Sequence, residues 1–198
     1  MLFAENFIVK DRLDSLENDV NRCLPNPADK TEPTAYAPFP ALLYCFSIID
    51  LLGALFSGNA RSGNTTENSS KFMKKYFDRT DDKLRLLQRI YRHKIVHLSQ
   101  PKPAMLYNGE LLAWEHNEGS TSKHLTIEHS RGDIDIFGIS KIHCHGKFIV
   151  SIRTLKDDIK RSVIKSPGGY LADLRNDKEL QNKFVIAINQ IYDPIVTD

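Results

Sequence analysis

The sequence predicts a mainly α-helical protein, a helical bundle that carries a small antiparallel β insertion. Three observations carry that expectation. Ala41 to Ser57 is apolar nearly all round, as a central core helix should be. Asp81 to Leu98 places Leu84, Leu87, Tyr91, Ile95 and Leu98 at spacings of three and four, the stripe of an amphipathic helix. Between about 104 and 152 the pattern changes to short alternating runs separated by Asn108-Gly109, Arg131-Gly132 and His145-Gly146, which are hairpin signals. The whole reads as a single domain over 1–198, with a helical core at about 3–100 and 153–192 and a β-rich insertion at about 104–152.

Taken in order, residues 3 to 24 read as a helix, since Leu2, Ile8, Leu13, Leu16 and Val20 fall mostly on one face. Pro25 and Pro27 end it, and the five prolines between 25 and 40 make a connector that cannot continue a helix. Gly58 closes the apolar helix. Residues 58 to 70, rich in Gly, Ser, Asn and Thr, read as a mobile loop. A short helix follows over Ser70 to Phe77. Thr80 is a suitable N-cap for the next helix, with Asp81 and Asp82 in its first turn. Pro101 and Pro103 stop that helix. Strands are expected at Met105 to Tyr107, Leu111 to Trp114, Leu125 to Ile127, Ile134 to Ile139 and Phe148 to Ile152. Helix returns at about Thr154 to Lys165, breaks at Ser166-Pro167-Gly168-Gly169, and resumes from about Asp177 to Tyr192.

The chain is 41% hydrophobic and 26% charged, the balance of a soluble globular protein rather than an unstructured one. Its net charge of +2 conceals a polarity: residues 71 to 102 hold ten basic and three acidic side chains, a local +7 against −5 for the rest. Such a segment suits an anionic partner, although many charge runs are only a solvated helix face. The cysteines, Cys23, Cys45 and Cys144, are odd in number and widely spaced, so neither a disulfide framework nor a zinc-finger spacing is expected. No signal peptide is visible, because Glu5, Asn6 and Lys10 interrupt any apolar core. The apolar stretch 41–57 is short for a membrane span and holds Asp50. A cytoplasmic location with no membrane contact follows by elimination.

The segment with most chemical content is Tyr91-Arg92-His93-Lys94-Ile95-Val96-His97. An arginine grips phosphate oxygens with a planar, permanently charged fork, and a histidine titrates near neutrality and can pass protons. The pattern Arg-polar-x-x-x-His, late in a helix that follows a long apolar helix, a loop and a short helix, resembles the HEPN superfamily ("higher eukaryotes and prokaryotes nucleotide-binding" helical domains). The resemblance covers about residues 38 to 98 and, more loosely, the C-terminal helices. It implies a metal-independent endoribonuclease working at a homodimer interface. Arg92 would bind the scissile phosphate. His97 would act as general base or acid in attack by the ribose 2′-hydroxyl, and His93 would orient the phosphate. Arg85, Arg89 and Lys94 would bind the RNA backbone. Some ribonuclease-type members carry a tyrosine two residues after the histidine, where this chain has Ser99. Other HEPN proteins have no activity, so the alternative is a dimerising module that binds a nucleotide or a protein partner. An antitoxin or regulatory partner would fit either reading, and the residues identify none.

On an ideal α-helix, residues five apart sit about 140° from each other around the axis. Arg92 and His97 therefore converge only if a second helix packs across them, which a symmetric dimer would supply. The alternative is that Arg92 pairs with a carboxylate such as Asp50 and that His97 closes the helix end. Asp50, alone in its apolar helix, takes a supporting role on either view. His143, Cys144 and His145 are dense in metal-ligating types, but neighbours on a strand point to opposite faces and no CxxC or HExxH spacing supports them. No metal or cofactor is expected. Trp114, Tyr107 and Phe137 could stack on bases if exposed, although such rings are more often core.

Overall fold

The structure is a computed structural model that describes residues 2–24, 37–61, 63–92, 103–119, 122–136 and 140–193. The elements run α1 (Leu2–Glu5), a π-helical segment π1 (Asn6–Leu13), α2 (Asp14–Cys23), α3 (Pro38–Ser57), α4 (Thr65–Tyr76), α5 (Asp81–Leu86) and a second π-helical segment π2 (Leu87–Arg92). Then come β1 (Ala104–Tyr107), β2 (Glu110–Asn117), β3 (Thr126–Glu128), β4 (Gly132–Ile136), β5 (Ser140–Cys144) and β6 (Gly146–Ser151), followed by α6 (Ile152–Ile164), α7 (Tyr170–Asn176) and α8 (Lys178–Tyr192).

The mainly α expectation is corrected here. Of the described residues 61% are helical and 19% are in strands, which form a four-stranded mixed sheet and a separate two-stranded one, an α/β fold rather than a bundle with a small insertion. The sheet order is β1-β2-β6-β3, with β2 and β6 parallel and the other two pairings antiparallel. The turn dipeptides account for the local hairpins. Asn108 and Gly109 both have positive φ, as the tight turn between β1 and β2 requires. They cannot reveal the parallel pair, because β6 reaches β2 only after the chain has passed through β3 and the β4–β5 hairpin. Burial on both faces marks β6, whose Phe148, Ile149 and Val150 are all buried.

The chain divides into two interleaved compact units, one made of residues 1–17, 45–80 and 157–198, the other of 18–44 and 81–156. The first is helical. In α1 and π1 the buried residues are Ala4, Phe7, Ile8 and Leu13. The interval of five from Ile8 to Leu13 would rotate Leu13 off the buried face of an α-helix, and i→i+5 closure restores it. Within α3 the buried Phe46, Ile49, Leu52 and Leu55 follow helical spacing. Gly53 permits close packing: a Cβ there would lie 2.6 Å from the backbone N of Ser69 on α4.

Helix α4 starts at Thr65, inside the stretch expected to be loop. Asn68 and Ser69 are buried, and the Asn68 amide donates to the Asn59 carbonyl at 2.9 Å, so tertiary bonds override loop-like composition. Rings of Phe56, Phe72, Tyr76 and Tyr170 then meet edge to face with centroids 5.6–6.3 Å apart, and Phe72 and Tyr76 lie tilted against each other at 5.1 Å. The Tyr76 hydroxyl donates to Asp173 at 3.0 Å, and burial together with that carboxylate pushes its pKa above the usual phenol range. Helix α7 was not foreseen by the sequence pattern. Helix α8 begins where Asp177 accepts from the Leu180 N–H at 3.1 Å, an ordinary N-cap.

In the second unit Leu84, Leu86 and Leu87 of α5 and π2 are buried, as are Leu112, Ala113, Leu125, Phe148, Ile149 and Val150 of the sheet region. A Cβ at Gly146 would lie 2.7 Å from the Glu128 carbonyl, so the β3–β6 approach needs glycine there.

One described helix, α3, is long and apolar enough to cross a membrane, and half of its most apolar window is buried inside the protein, as a core helix is.

Candidate anion-binding segment around Arg92

Helix α5 passes without a break into π2. Closure of i→i+5 bonds brings residues four to five apart onto one side. The burial pattern agrees: Leu87, Gln88 and Arg92 are buried, at 0%, 4% and 8% exposure, while Arg89 is exposed. Arg92 therefore faces inward within a single chain, and it is engaged there with other groups. Arg85, four residues before Arg89, is exposed and pairs with Asp82 at 3.0 Å across one helical turn. That pair lies in solvent and holds the arginine weakly, at roughly 0–1 kcal/mol.

His93, Lys94 and His97 lie outside the described residues, as do the helix end after Arg92 and Ser99. Asp50 belongs to the first unit, on α3, and is half-buried. The Ser69 hydroxyl is within hydrogen-bonding reach of the Asp50 carboxylate and also of the Thr65 carbonyl, the latter at 2.7 Å. Its single proton serves one of the two at a time. Asp50 thus helps to tie α3 to α4, a supporting role in packing.

Much of the basic run is used within the protein. Lys71 pairs with Glu67 at 2.6 Å, Lys75 with Asp173 at 2.8 Å and Arg79 with Asp158 at 3.2 Å. The Asp158 side chain is 6% exposed and is also met by Arg161 at 3.0 Å. Burial raises its carboxyl pKa, and the two guanidiniums pull the other way without overcoming it. Glu67 lies on the same helix as Lys71, whereas Asp173 and Asp158 come from helices far along the chain, so the +7 of the sequence overstates the charge offered to solvent.

Gln88 is the residue that sequence reasoning missed. Among the described residues neither its amide nitrogen nor its amide oxygen has a hydrogen-bond partner. A signal existed: Gln88 stands four residues after Leu84 and four before Arg92, a polar residue set in the apolar stripe. A buried unsatisfied amide costs about 1–3 kcal/mol. Gln88→Met keeps the shape and removes that cost, so it is expected to raise the melting temperature by about 2–4 °C per kcal/mol recovered, read by circular dichroism; a fall would show that the carboxamide is satisfied in solution.

The other constellations are structural. Nδ1 of His143 lies 2.8 Å from Asp133 across the β4–β5 pair, and Nδ1 of His145 accepts the Leu111 N–H at 3.2 Å. Cys144 is buried between them in sequence, and burial raises its thiol pKa. Among the described residues no group of three or more His, Cys, Asp or Glu side chains is placed to hold a metal ion. Trp114 is half-buried, stacked on His116 at 5.6 Å and met edge-on by Phe39 at 6.2 Å. Burial lowers the His116 pKa. Tyr107 on β1 is half-buried, and Phe137 lies outside the described residues. Trp114, already covered on two sides, is a poor platform for a base.

Compared with known proteins, the chain matches no family model, no curated protein and no solved structure. The likeness to HEPN therefore rests on the residues of the Arg92 segment and on the helix order around it.

Proposed function

We propose that the chain is a non-catalytic, HEPN-like binding module, joined to a mixed sheet, that takes a phosphate-bearing nucleotide ligand through the outward guanidiniums of Arg85 and Arg89. The observation that carries this reading is the split within one helical stretch: Arg92 is 8% exposed while Arg85 and Arg89 face solvent. A guanidinium that must grip a scissile phosphate has to reach solvent, whereas one enclosed by its own chain serves packing and charge balance. Two exposed arginines four apart share a helix face and can hold one phosphate from two sides. This reading does not need the twofold pairing of two Arg92 side chains that cleavage would demand. A cytoplasmic setting fits three cysteines that are all free thiols, two of them buried.

The test has two arms. In the first, AMP and a short single-stranded RNA are titrated at low salt into wild type and into Arg85→Ala/Arg89→Ala. The double variant is expected to bind at least about tenfold more weakly, the loss of two charge-assisted contacts at roughly 1–3 kcal/mol, with an unchanged melting temperature. In the second, mixed RNA is incubated with the protein in EDTA. Cleavage that persists in chelator and disappears in both Arg92→Ala and His97→Ala would overturn the binding-only reading in favour of a metal-independent ribonuclease.

A further inference from the structure

The first unit contains a cavity of about 380 Å³ walled by π1, the end of α6 and α7. It lies within one unit and uses none of the residues assigned to phosphate binding. Its apolar wall includes Val9, Ile164 and Leu171, and Leu2 and Ile164 remain 72% and 46% exposed at its edge. Large aliphatic side chains left in water beside a concavity cost free energy that an apolar occupant would recover. The volume lies in the range of small-molecule sites.

Charge defines the rim. Lys10, Lys165 and Arg175 line it against one carboxylate, Glu5. Both Nε and Nη2 of Arg175 bond the same Glu5 oxygen, at 3.2 and 2.7 Å, which neutralises that pair and leaves the two lysines as net positive charge. Lys10 and Lys165 are exposed and come from different elements of the lining, one on π1 and one after α6.

The walls are built rather than incidental. Lys165 donates its N–H to the Arg161 carbonyl at 3.0 Å and accepts the Gly169 N–H at 2.9 Å. A Cβ at Gly169 would lie 2.5 Å from that Lys165 carbonyl, so glycine sets the loop at the cavity edge. Another part of the lining is a π-helix, a conformation found in well under 1% of residues and often at functional sites. It supplies Asn6, Val9 and Lys10.

We infer that this cavity binds an amphipathic anion: an acyl chain of medium length against Val9, Ile164 and Leu171, with its terminal carboxylate between Lys10 and Lys165. The apolar wall selects the chain, and the cationic rim selects the sign of the head group. The ligand class is independent of the phosphate reading, and the site shares no residue with it.

The experiment uses the full chain and isothermal titration with decanoate below its micelle concentration, with acetate and decyltrimethylammonium as controls. Saturable binding of decanoate is expected, with neither control binding comparably. Lys10→Glu/Lys165→Glu should weaken decanoate at least tenfold while leaving the melting temperature unchanged, because both side chains are exposed. Ala172→Trp, which fills the cavity from α7, should abolish binding. No saturable decanoate binding by wild type, equal binding of the cationic amphiphile, or full affinity in the charge-reversed variant would each overturn the inference. If Ala172→Trp perturbs folding, the charge-reversed variant decides alone.

Discussion

Gly53→Ala is expected to lower the melting temperature by about 6–12 °C, the equivalent of roughly 3 kcal/mol for a chain of this size. The magnitude follows from what the new methyl group meets. Its Cβ would lie 2.6 Å from Ser69 N, 2.7 Å from Asn68 C and 2.7 Å from Ser69 Cα. All three are backbone atoms of α4, so no side-chain rotation relieves the clash and the helices must separate. Separation would also disturb two bonds that hold the α4 start, from Asn68 to the Asn59 carbonyl and from Ser69 to Asp50. The intrinsic preference of a helix for alanine over glycine, about 1 kcal/mol, works in the opposite direction and is overwhelmed. Gly119→Ala is the control, since its Cβ would meet only the Asn117 side-chain oxygen at an ordinary 3.5 Å. A Gly53→Ala variant as stable as Gly119→Ala would mean that α3 and α4 do not approach each other this closely.

That contact also shows where the sequence was readable. The apolar run 41–57 announced α3 through side chains that are apolar nearly all round, and Pro38 and Pro40 fit its start because the first turn needs no intrahelical N–H. The role of Gly53 was hidden, because a glycine inside an apolar helix has the same local pattern whether it faces lipid, solvent or a neighbouring backbone. Residues 65 to 69 read as loop because Thr, Asn and Ser favour turns and caps. Their helicity comes from burial of Asn68 and Ser69, which depends on α3 and cannot be read from 58–70 alone. The parallel β2–β6 pairing is nonlocal in the same sense. Alternation identifies strands but does not say which strand lies beside which.

The candidate site followed the same division. Helical periodicity placed Arg85, Arg89 and Arg92 on one helical stretch, and they are there. An ideal α-helix did not anticipate π2, so the side of the helix on which Arg92 falls, and the burial of Gln88 with it, stayed out of view. The charge run was misleading for a simpler reason. Asp158 and Asp173, which take up Arg79 and Lys75, lie in helices beyond the entire β region. Local charge counts omit partners supplied by the tertiary fold.

Arg92→Ala is expected to destabilise the protein by about 3 kcal/mol, within the range for removing one member of a buried charged contact, whereas Arg89→Ala should stay within about 0.5 kcal/mol of wild type. The two residues are three apart on the same segment and carry the same charge, so burial is the variable that separates them. Truncating Arg92 removes an enclosed aliphatic stem as well as the guanidinium, and it leaves the groups that engage Arg92 without their partner. Arg92→Met restores most of the lost volume and should recover part of the stability; Arg92→Lys keeps the charge but not the planar fork and should recover less than an isosteric swap would suggest. Urea unfolding followed by circular dichroism measures this directly, provided the slope with denaturant is unchanged between variants. A ribonuclease with Arg92 in an open cleft makes the opposite forecast. Catalytic groups are held at some expense of stability, so removing one leaves the fold as stable or more so while activity is lost. An Arg92→Ala protein with an unshifted urea midpoint would therefore place that guanidinium in solvent and return it to chemistry, and a midpoint that falls while Arg89→Ala holds steady would assign it to the fold.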